Sequence, residues 1–282
     1  MSKRPIVSRT VRYVTAEHAE QREIQMLIEA PLYLWLNGQQ IAVLMRLPGQ
    51  DRELAIGFCL SEGIITGTLG LVAVREQGLE DGALSVMIEA EPESVQKNAR
   101  LDIVRLVRAG TGAIDLDRSQ MPLECVSSHR QFEAKHLLAL DGRMRDAQWL
   151  RRQVGGVHAA ALFDTGGQLV VVREDVGRHN AVDKVVGYCF VHGISLDDKV
   201  LLCSGRLSYE MVTKAIRIGI PILASISTPT ALAVEIARRF NLTLVGYLRD
   251  GHLSVYAHPW RVLGANDAGC EQKPSTRYDD RS

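Results

Sequence analysis

The stretch from Gly166 to Gly187, GGQLVVVREDVGRHNAVDKVVG, constrains this chain more than any other, because it reads as strand, charged turn and helix in one run. Leu169 to Val172 is a continuous, β-branched run of the kind that makes a strand buried on both faces. Arg173, Glu174 and Asp175 end it. Val176, Val182, Val185, Val186 and Cys189 then fall at helical spacing, with Arg178, His179, Asp183 and Lys184 largely on the other faces and Asp175 placed to cap the new helix. A helix N-terminus therefore opens at the carboxyl end of a buried strand with Arg178 and His179 in its first turn, an arrangement that can hold an anion. The simpler reading is that these charges satisfy one another at a solvated turn.

From Val157 the pattern is regular. Strands at Val157 to Phe163, Leu169 to Val172, Val200 to Cys203, Ile222 to Ser227 and Leu242 to Leu248 alternate with helices after Asp175, at Tyr209 to Ile218 and at Ala231 to Phe240. Such alternation predicts right-handed crossovers and a mostly parallel sheet covered on both faces, with the strands from 169, 200, 222 and 242 adjacent and central. A last strand, Leu253 to Ala257, follows the short turn Arg249-Asp250-Gly251-His252 as an antiparallel edge. The fold class expected is α/β, a three-layer α/β/α core with a mostly parallel, mixed sheet and a smaller N-terminal α+β domain.

The first half reads differently. Residues 1–24 form a loose arm with one strand around Val11 to Val14. Leu32, Leu34 and Leu36 alternate with Tyr33 and Trp35, Asn37-Gly38 supplies a type I′ turn, and Ile41 to Leu47 returns. Asp51 caps a helix that Gly63 stops, and Leu71 to Arg75 with Ala83 to Glu89 makes a second hairpin. Glu93 to Val107 reads as an amphipathic helix, and Ala109 to Ser128 as a long mobile connection of the kind usually kept for function. Gln131 to Trp149 is helical, interrupted at Asp141-Gly142. The domains expected are 25–150 and 151–263, with a disordered tail at 264–282.

Composition limits the function classes. With 33 basic and 33 acidic side chains there is no basic surface for non-specific nucleic-acid binding. No apolar run reaches ~18 residues and no signal peptide opens the chain, so a soluble, cytoplasmic protein without membrane contact is expected. The five cysteines, Cys59, Cys125, Cys189, Cys203 and Cys270, include no C-x-x-C, so no metal site is expected. Cys189 and Cys203 sit in apolar elements as buried small hydrophobes. His158 lacks the H-x-E and P-C-x-x-C of zinc deaminases and reads as a hydrogen-bonded strand-end histidine.

In an open sheet of this kind, ligands sit outside the carboxyl ends of the strands. The turns leaving those ends are Arg173 to His179, Ser204-Gly205-Arg206-Leu207-Ser208, Ser227-Thr228-Pro229-Thr230 and Tyr247-Leu248-Arg249-Asp250-Gly251-His252. The first three feed helix N-termini with hydroxyls, glycines and arginines, the groups that cradle phosphates. Ser208 and Thr230 also read as ordinary N-caps. The convergence of several such turns at one sheet edge points to a nucleotide-like ligand.

Several long motifs, in order, carry a resemblance: GFCLSEGII (57–65), GGVHAAALF (155–163), REDVGRHNAVDKVVG (173–187), SGRLSYEMVTKA (204–215), GIPILASISTPTALAVEIA (219–237) and NLTLVGYLRDGHLSVYAHP (241–259). Together they strongly resemble the FdhD/NarQ family. The resemblance implies a formate dehydrogenase accessory protein that binds the bis-guanine-dinucleotide molybdenum cofactor and passes sulfur to it from a cysteine desulfurase. It also implies a cytidine-deaminase-like core without zinc, a homodimer, and cofactor contacts at Tyr247, Leu248, Arg249, Asp250, Gly251 and His252.

The family's loop C-x-x-C, one cysteine of which holds the persulfide, falls here on Ala113-Ile114-Asp115-Leu116. Neither Ala113 nor Leu116 has the thiolate that accepts sulfur. Cys125 is the only thiol on that connection and is the fallback. The leading reading is a cofactor-binding assembly factor using Arg178, His179, Ser204, Gly205, Arg206, Ser208 and the 247–252 turn. The alternative is a nucleotide hydrolase or transferase in the same mouth, with His179, Asp175 or His252 as its base or nucleophile.

Overall fold

Two sheets of different make carry the cores of this chain. The computed structural model describes residues 5–66, 70–96, 105–107 and 123–264. The tail after Gly264 and the positions of Ala113 and Leu116 lie outside the described residues.

In the first half, β1 (Ile6–Val14) and β2 (Ala19–Leu27) pair from Ile6 with Leu27 to Val14 with Ala19, so the arm expected to be loose is a two-stranded ribbon. β3 (Ala30–Leu36) and β4 (Gln39–Arg46) meet across Asn37 and Gly38, both at positive φ (46° and 82°), as a type I′ turn requires. The helix α1 (Asp51–Ser61) follows, then β5 (Leu71–Gly78), β6 (Leu84–Ala90) and β7 (Arg105–Val107). The sheet runs β5-β6-β3-β4-β7. Alternation sends Leu32, Leu34 and Leu36 to the face covered by Leu54, Ala55 and Phe58 of α1, and these form one core.

Two expectations fail here. The residue before α1 is Gln50, in a left-handed conformation, and Asp51 is already helical; its Oδ2 accepts from Gly49 N instead. Glu93 to Val107 is not one helix, because Pro92–Ser94 is a single 3₁₀ turn, Val95 bridges to Ile65, and Arg105–Val107 is a strand beside β4. Pro92 ahead of the stretch and a partner edge on β4 outweigh its apolar spacing.

The second half is β8 (Phe132–Glu133), α2 (Ala134–Leu138), α3 (Leu140–Ala147), α4 (Trp149–Gln153), β9 (His158–Phe163), β10 (Leu169–Asp175), α5 (Arg178–Val191), β11 (Val200–Cys203), α6 (Tyr209–Arg217), β12 (Ile222–Ser225), α7 (Ala231–Arg239), β13 (Thr243–Arg249), β14 (His252–Ala257) and β15 (Val262–Leu263). The six-stranded sheet runs β10-β9-β11-β12-β13-β14. Only β11, β12 and β13 are parallel neighbours, so the sheet is mixed rather than mostly parallel. Apolar residues of α5, α6 and α7 cover one face, and those of α2 and α3 cover the other.

The strand that opens the 166–187 stretch is an edge strand, antiparallel to β9, which intervenes between β10 and β11. It is therefore neither central nor adjacent to β11. Leu169 is 37% exposed and Val171 is buried. An edge strand covered by helices needs the same β-branched run as a central one, so the local pattern does not separate them. The helical stretch at 131–149 breaks at Ala139 and Gln148, not at Asp141-Gly142, which lie within α3. Val126, Phe132, Leu137, Leu140 and Met144 pack on the six-stranded sheet, so the packing boundary falls before Val126 rather than near residue 150.

Candidate functional site: the carboxyl edge of the mixed sheet

Because β9 is antiparallel to both β10 and β11, the carboxyl ends of β10, β11, β12 and β13 lie at one edge, with His158 starting β9 beside them. Hydrogen bonds weld the turns there. Ser204 N donates to Ala159 O, Ala159 N donates to Ser204 Oγ at 2.9 Å, and His158 Nδ1 lies 3.3 Å from the same hydroxyl. Ser225 Oγ donates to Gly205 O at 2.6 Å, Leu207 N to Thr228 O, Thr230 N to Leu207 O and Tyr247 N to Ser227 O. The turns after β11 and β12 and the end of β13 thus form one floor.

Three helices present N-termini to this edge, and they are not alike. Thr230 caps α7 in the ordinary way, its hydroxyl accepting from Ala233 N at 3.3 Å. The N-cap of α5 is Gly177, which has no side chain to offer. Ser208 precedes α6 yet makes no capping bond, and its hydroxyl is buried without a partner among the described residues. Two helix N-termini therefore keep first-turn N–H groups uncapped by side chains, and the partial positive charge of each faces the mouth.

Cationic side chains flank them. Arg178 is half-buried and Arg206 is exposed; among the described residues Arg178 Nε has no hydrogen-bond partner and neither guanidinium forms an ion pair with a carboxylate. Burial, then the charge of Arg206, lower the pKa of Arg178, against an opposing pull from Glu210. The two guanidiniums therefore feel each other at the mouth. A Cβ on Gly205 would lie 3.0 Å from Arg178 Cδ and 3.4 Å from His158 Cε1, so the turn passes closely between these two side chains.

Beneath Arg178 lies His179, only 3% exposed, with neither ring nitrogen hydrogen-bonded to any described residue. Burial, and then the charges of Lys214, Arg178 and His158, push its pKa down to about 3, so the ring is neutral at physiological pH. His158 is also lowered, by burial and then Arg178, against Asp175.

Behind the mouth a buried polar network ties it to α1. Lys214 Nζ donates to Asp183, Ser61 and Glu62 at 2.7 to 3.0 Å. Burial would lower its pKa, but Asp183 and Glu62 more than reverse this and hold the ammonium charged. Asp175, expected as a cap or a base, is fully engaged. Its carboxylate accepts from Leu47 N, Gly177 N and Asn180 Nδ2 and pairs with Lys184 at 2.7 Å, both side chains 0% exposed.

The 247–252 turn is divided. Gly246 approaches so closely that a Cβ there would meet Pro229 Cδ at 2.8 Å, and Tyr247 takes a positive φ of 51° as the β13 register shifts. Arg249, Asp250, Gly251 and His252 are exposed at the hairpin tip, where Arg249 lies over the Tyr247 ring. Leu248 does not join them; its side chain is 0% exposed in the core against α2 and α3, as strand alternation from Tyr247 demands.

Cys125 is elsewhere. Its thiol donates to Arg239 O, Val126 N to Phe240 O, and Arg261 holds Ser128 O, all beside the amino end of β13. That is the edge opposite the mouth. Cys189 and Cys203 are buried, their thiols pushed up to about 12 mainly by burial, and are chemically quiet. No cluster of metal ligands occurs among the described residues, and no described helix is long and apolar enough to cross a membrane. Sequence reasoning placed the arginines at this edge and read His158 as a hydrogen-bonded strand-end histidine, which its contact with Ser204 bears out; its closeness to Gly205 was signalled only by its position at a strand start beside a glycine-containing turn.

Comparison with known proteins agrees with these motifs. The model of the FdhD/NarQ family matches residues 27–263. The sulfur carrier protein FdhD of Mycolicibacterium paratuberculosis is 37% identical over 277 residues, covering 90% of this chain and 97% of that protein. The protein of the same name from Thermoplasma acidophilum is 35% identical over 266 residues, covering 91% and 93%. A crystal structure of a protein assigned as a formate dehydrogenase accessory protein from Desulfotalea psychrophila superposes with a TM-score of 0.72 at 25% identity, covering 92% of this chain and all of that one. The chain belongs to the FdhD/NarQ family.

Proposed function

We propose that this protein is an FdhD-type accessory protein that binds the bis-guanine-dinucleotide molybdenum cofactor through its phosphates at the sheet edge and delivers it to a formate dehydrogenase. The observation that carries the reading is the pair of helix N-termini without side-chain caps, at α5 and α6, flanked by Arg178 and Arg206, which form no carboxylate ion pair among the described residues. Donors fixed in place and turned toward one opening suit a pyrophosphate, which offers oxygens in several directions. Arg178, Arg206 and the α5 and α6 N–H groups take the phosphates. Tyr247 and the exposed tip from Arg249 to His252 form the outer wall, with Leu248 contributing backbone only. Helices on both faces of a mixed sheet support a cytidine-deaminase-like core, and a homodimer is part of the same reading.

The cofactor is cargo here, and the chain's own work is to hold and orient it. Sulfur carriage on a loop persulfide is not part of the proposal, because Ala113 and Leu116 stand where the family's cysteines fall and neither can accept sulfur. A desulfurase partner would therefore meet a protein without the usual acceptor thiols. The test is mass spectrometry of small molecules released from protein purified under native conditions. A guanine nucleotide or molybdopterin at near-stoichiometric amounts supports the reading, and a protein free of both, taking up no GDP when it is added, rejects it.

A further inference from the structure

Below the arginines the site has a second layer of a different chemical kind. Arg178 and Arg206 are permanently charged, whereas His179 and Ser208 are neutral polar groups. His179 is 97% buried by the complement of its 3% exposure, and neither ring nitrogen has a partner among the described residues. Ser208 stands at a position where a serine hydroxyl ordinarily accepts from the first turn of its helix, yet it does not, and its oxygen is also buried and unpartnered. Buried polar atoms left without hydrogen bonds are costly, so a pair of them at one mouth needs a reason. The two residues stand at the openings of α5 and α6, and His158 and Arg178, which line the mouth, both act electrostatically on His179.

We infer that His179 and Ser208 form a recognition pair for an uncharged polar group of the ligand, a hydroxyl or an N–H/C=O edge lying next to its phosphates. This rests on the reading above and extends it by dividing the labour: arginines and helix N-termini hold charge, while the inner pair reads what is attached to it. A neutral imidazole offers one donor and one acceptor, and a hydroxyl offers both. Together they suit a group that donates and accepts, such as a nucleoside hydroxyl or base edge, whereas a bare anion can take only their donors and leaves their acceptors unused. The Asp183–Lys214 pair on the far side fixes α5 against α6 and so fixes the spacing of the two readers.

The experiment compares GDP with inorganic pyrophosphate on the full-length protein by calorimetry, together with NMR of ring-¹⁵N-labelled histidine. His179 is assigned by its absence in His179→Phe, which keeps a flat ring and removes the nitrogens. Losing one such hydrogen bond should weaken GDP about threefold to tenfold in His179→Phe and in Ser208→Ala, and weaken pyrophosphate by clearly less. GDP should move the His179 ring resonances further than pyrophosphate does. If His179→Phe does not fold, the comparison of GDP with pyrophosphate in Ser208→Ala decides. Equal losses for both ligands, no loss, or ring resonances unmoved by bound GDP would overturn this inference and leave the phosphate site standing. A wild-type protein that ignores GDP would overturn the functional reading and the recognition pair together.

Discussion

Gly57 of α1 and Gly187 of α5 face each other so closely that the helix backbones touch: a Cβ on Gly57 would fall 1.7 Å from Asp183 O, and one on Gly187 would fall 1.8 Å from Glu53 O. This contact sets the position of α5, and with it Arg178, relative to the first half of the chain. Gly187→Ala forces backbone apart rather than a flexible side chain, so it should cost at least the ~1 to 3 kcal/mol usual for overpacking. Urea denaturation checks it, and an unchanged midpoint would mean that the two helices are not held as described.

The Asp175–Lys184 pair makes a second claim on the same junction. Asp175→Ala leaves the Lys184 ammonium buried beside backbone carbonyls of Leu47 and Glu174 alone and removes the acceptor for Leu47 N. Breaking a fully buried pair from one side costs about 3 to 5 kcal/mol. Chemical denaturation should show a loss of that order; a loss under about 1 kcal/mol would place Asp175 in contact with water.

Stability should fall with acid through His179. Its folded pKa, about 3, lies below the ordinary 6.5, so under pH 6.5 the unfolded chain binds a proton that the folded chain refuses. The unfolded state is then favoured by up to about 1.4 kcal/mol for each pH unit between those values. Above pH 6.5 the contribution is complete and flat. Comparing wild type with His179→Gln at pH 7.5 and 5.5 isolates the effect, because the variant lacks this titration. The wild type should lose more stability than the variant; parallel losses would show that the ring is protonated in the folded state.

Much of this was legible in the sequence, and the reasons for the rest are physical. Periodicity located β3, β4, α1 and the strand–turn–helix at 169–191, since burial on one face leaves its mark in residue spacing. The carboxyl-edge turns were also legible, because glycines, hydroxyls and arginines cluster where strands feed helices. Strand order was not. β9 separates β10 from β11 through pairings between distant residues, such as Cys203 with Ala160, that no local pattern encodes. The failed cap at Ser208, the orphaned ring of His179 and the burial of Leu248 depend on what lies across the fold, so a serine that caps and one that does not look the same in the sequence.

The position of Cys125 yields a chemical prediction. It lies with Arg239 and Phe240 beside the amino end of β13, away from the mouth. Incubation with a cysteine desulfurase and ³⁵S-cysteine should therefore leave the protein unlabelled after non-reducing separation. Stoichiometric label on Cys125, lost in Cys125→Ala together with activation of a client dehydrogenase, would show that sulfur is carried there after all.

The central claim is that Arg178 and Arg206, at the openings of α5 and α6, hold the phosphates of a guanine nucleotide. Titration calorimetry of GDP into wild type, Arg178→Ala, Arg206→Ala and the double variant tests it most directly. Each single change should weaken binding by about 1.5 to 3 kcal/mol, the value of a charge-assisted hydrogen bond, and added salt should weaken the wild type more than the double variant. Binding of equal strength in all four proteins, or none in the wild type, would contradict the account.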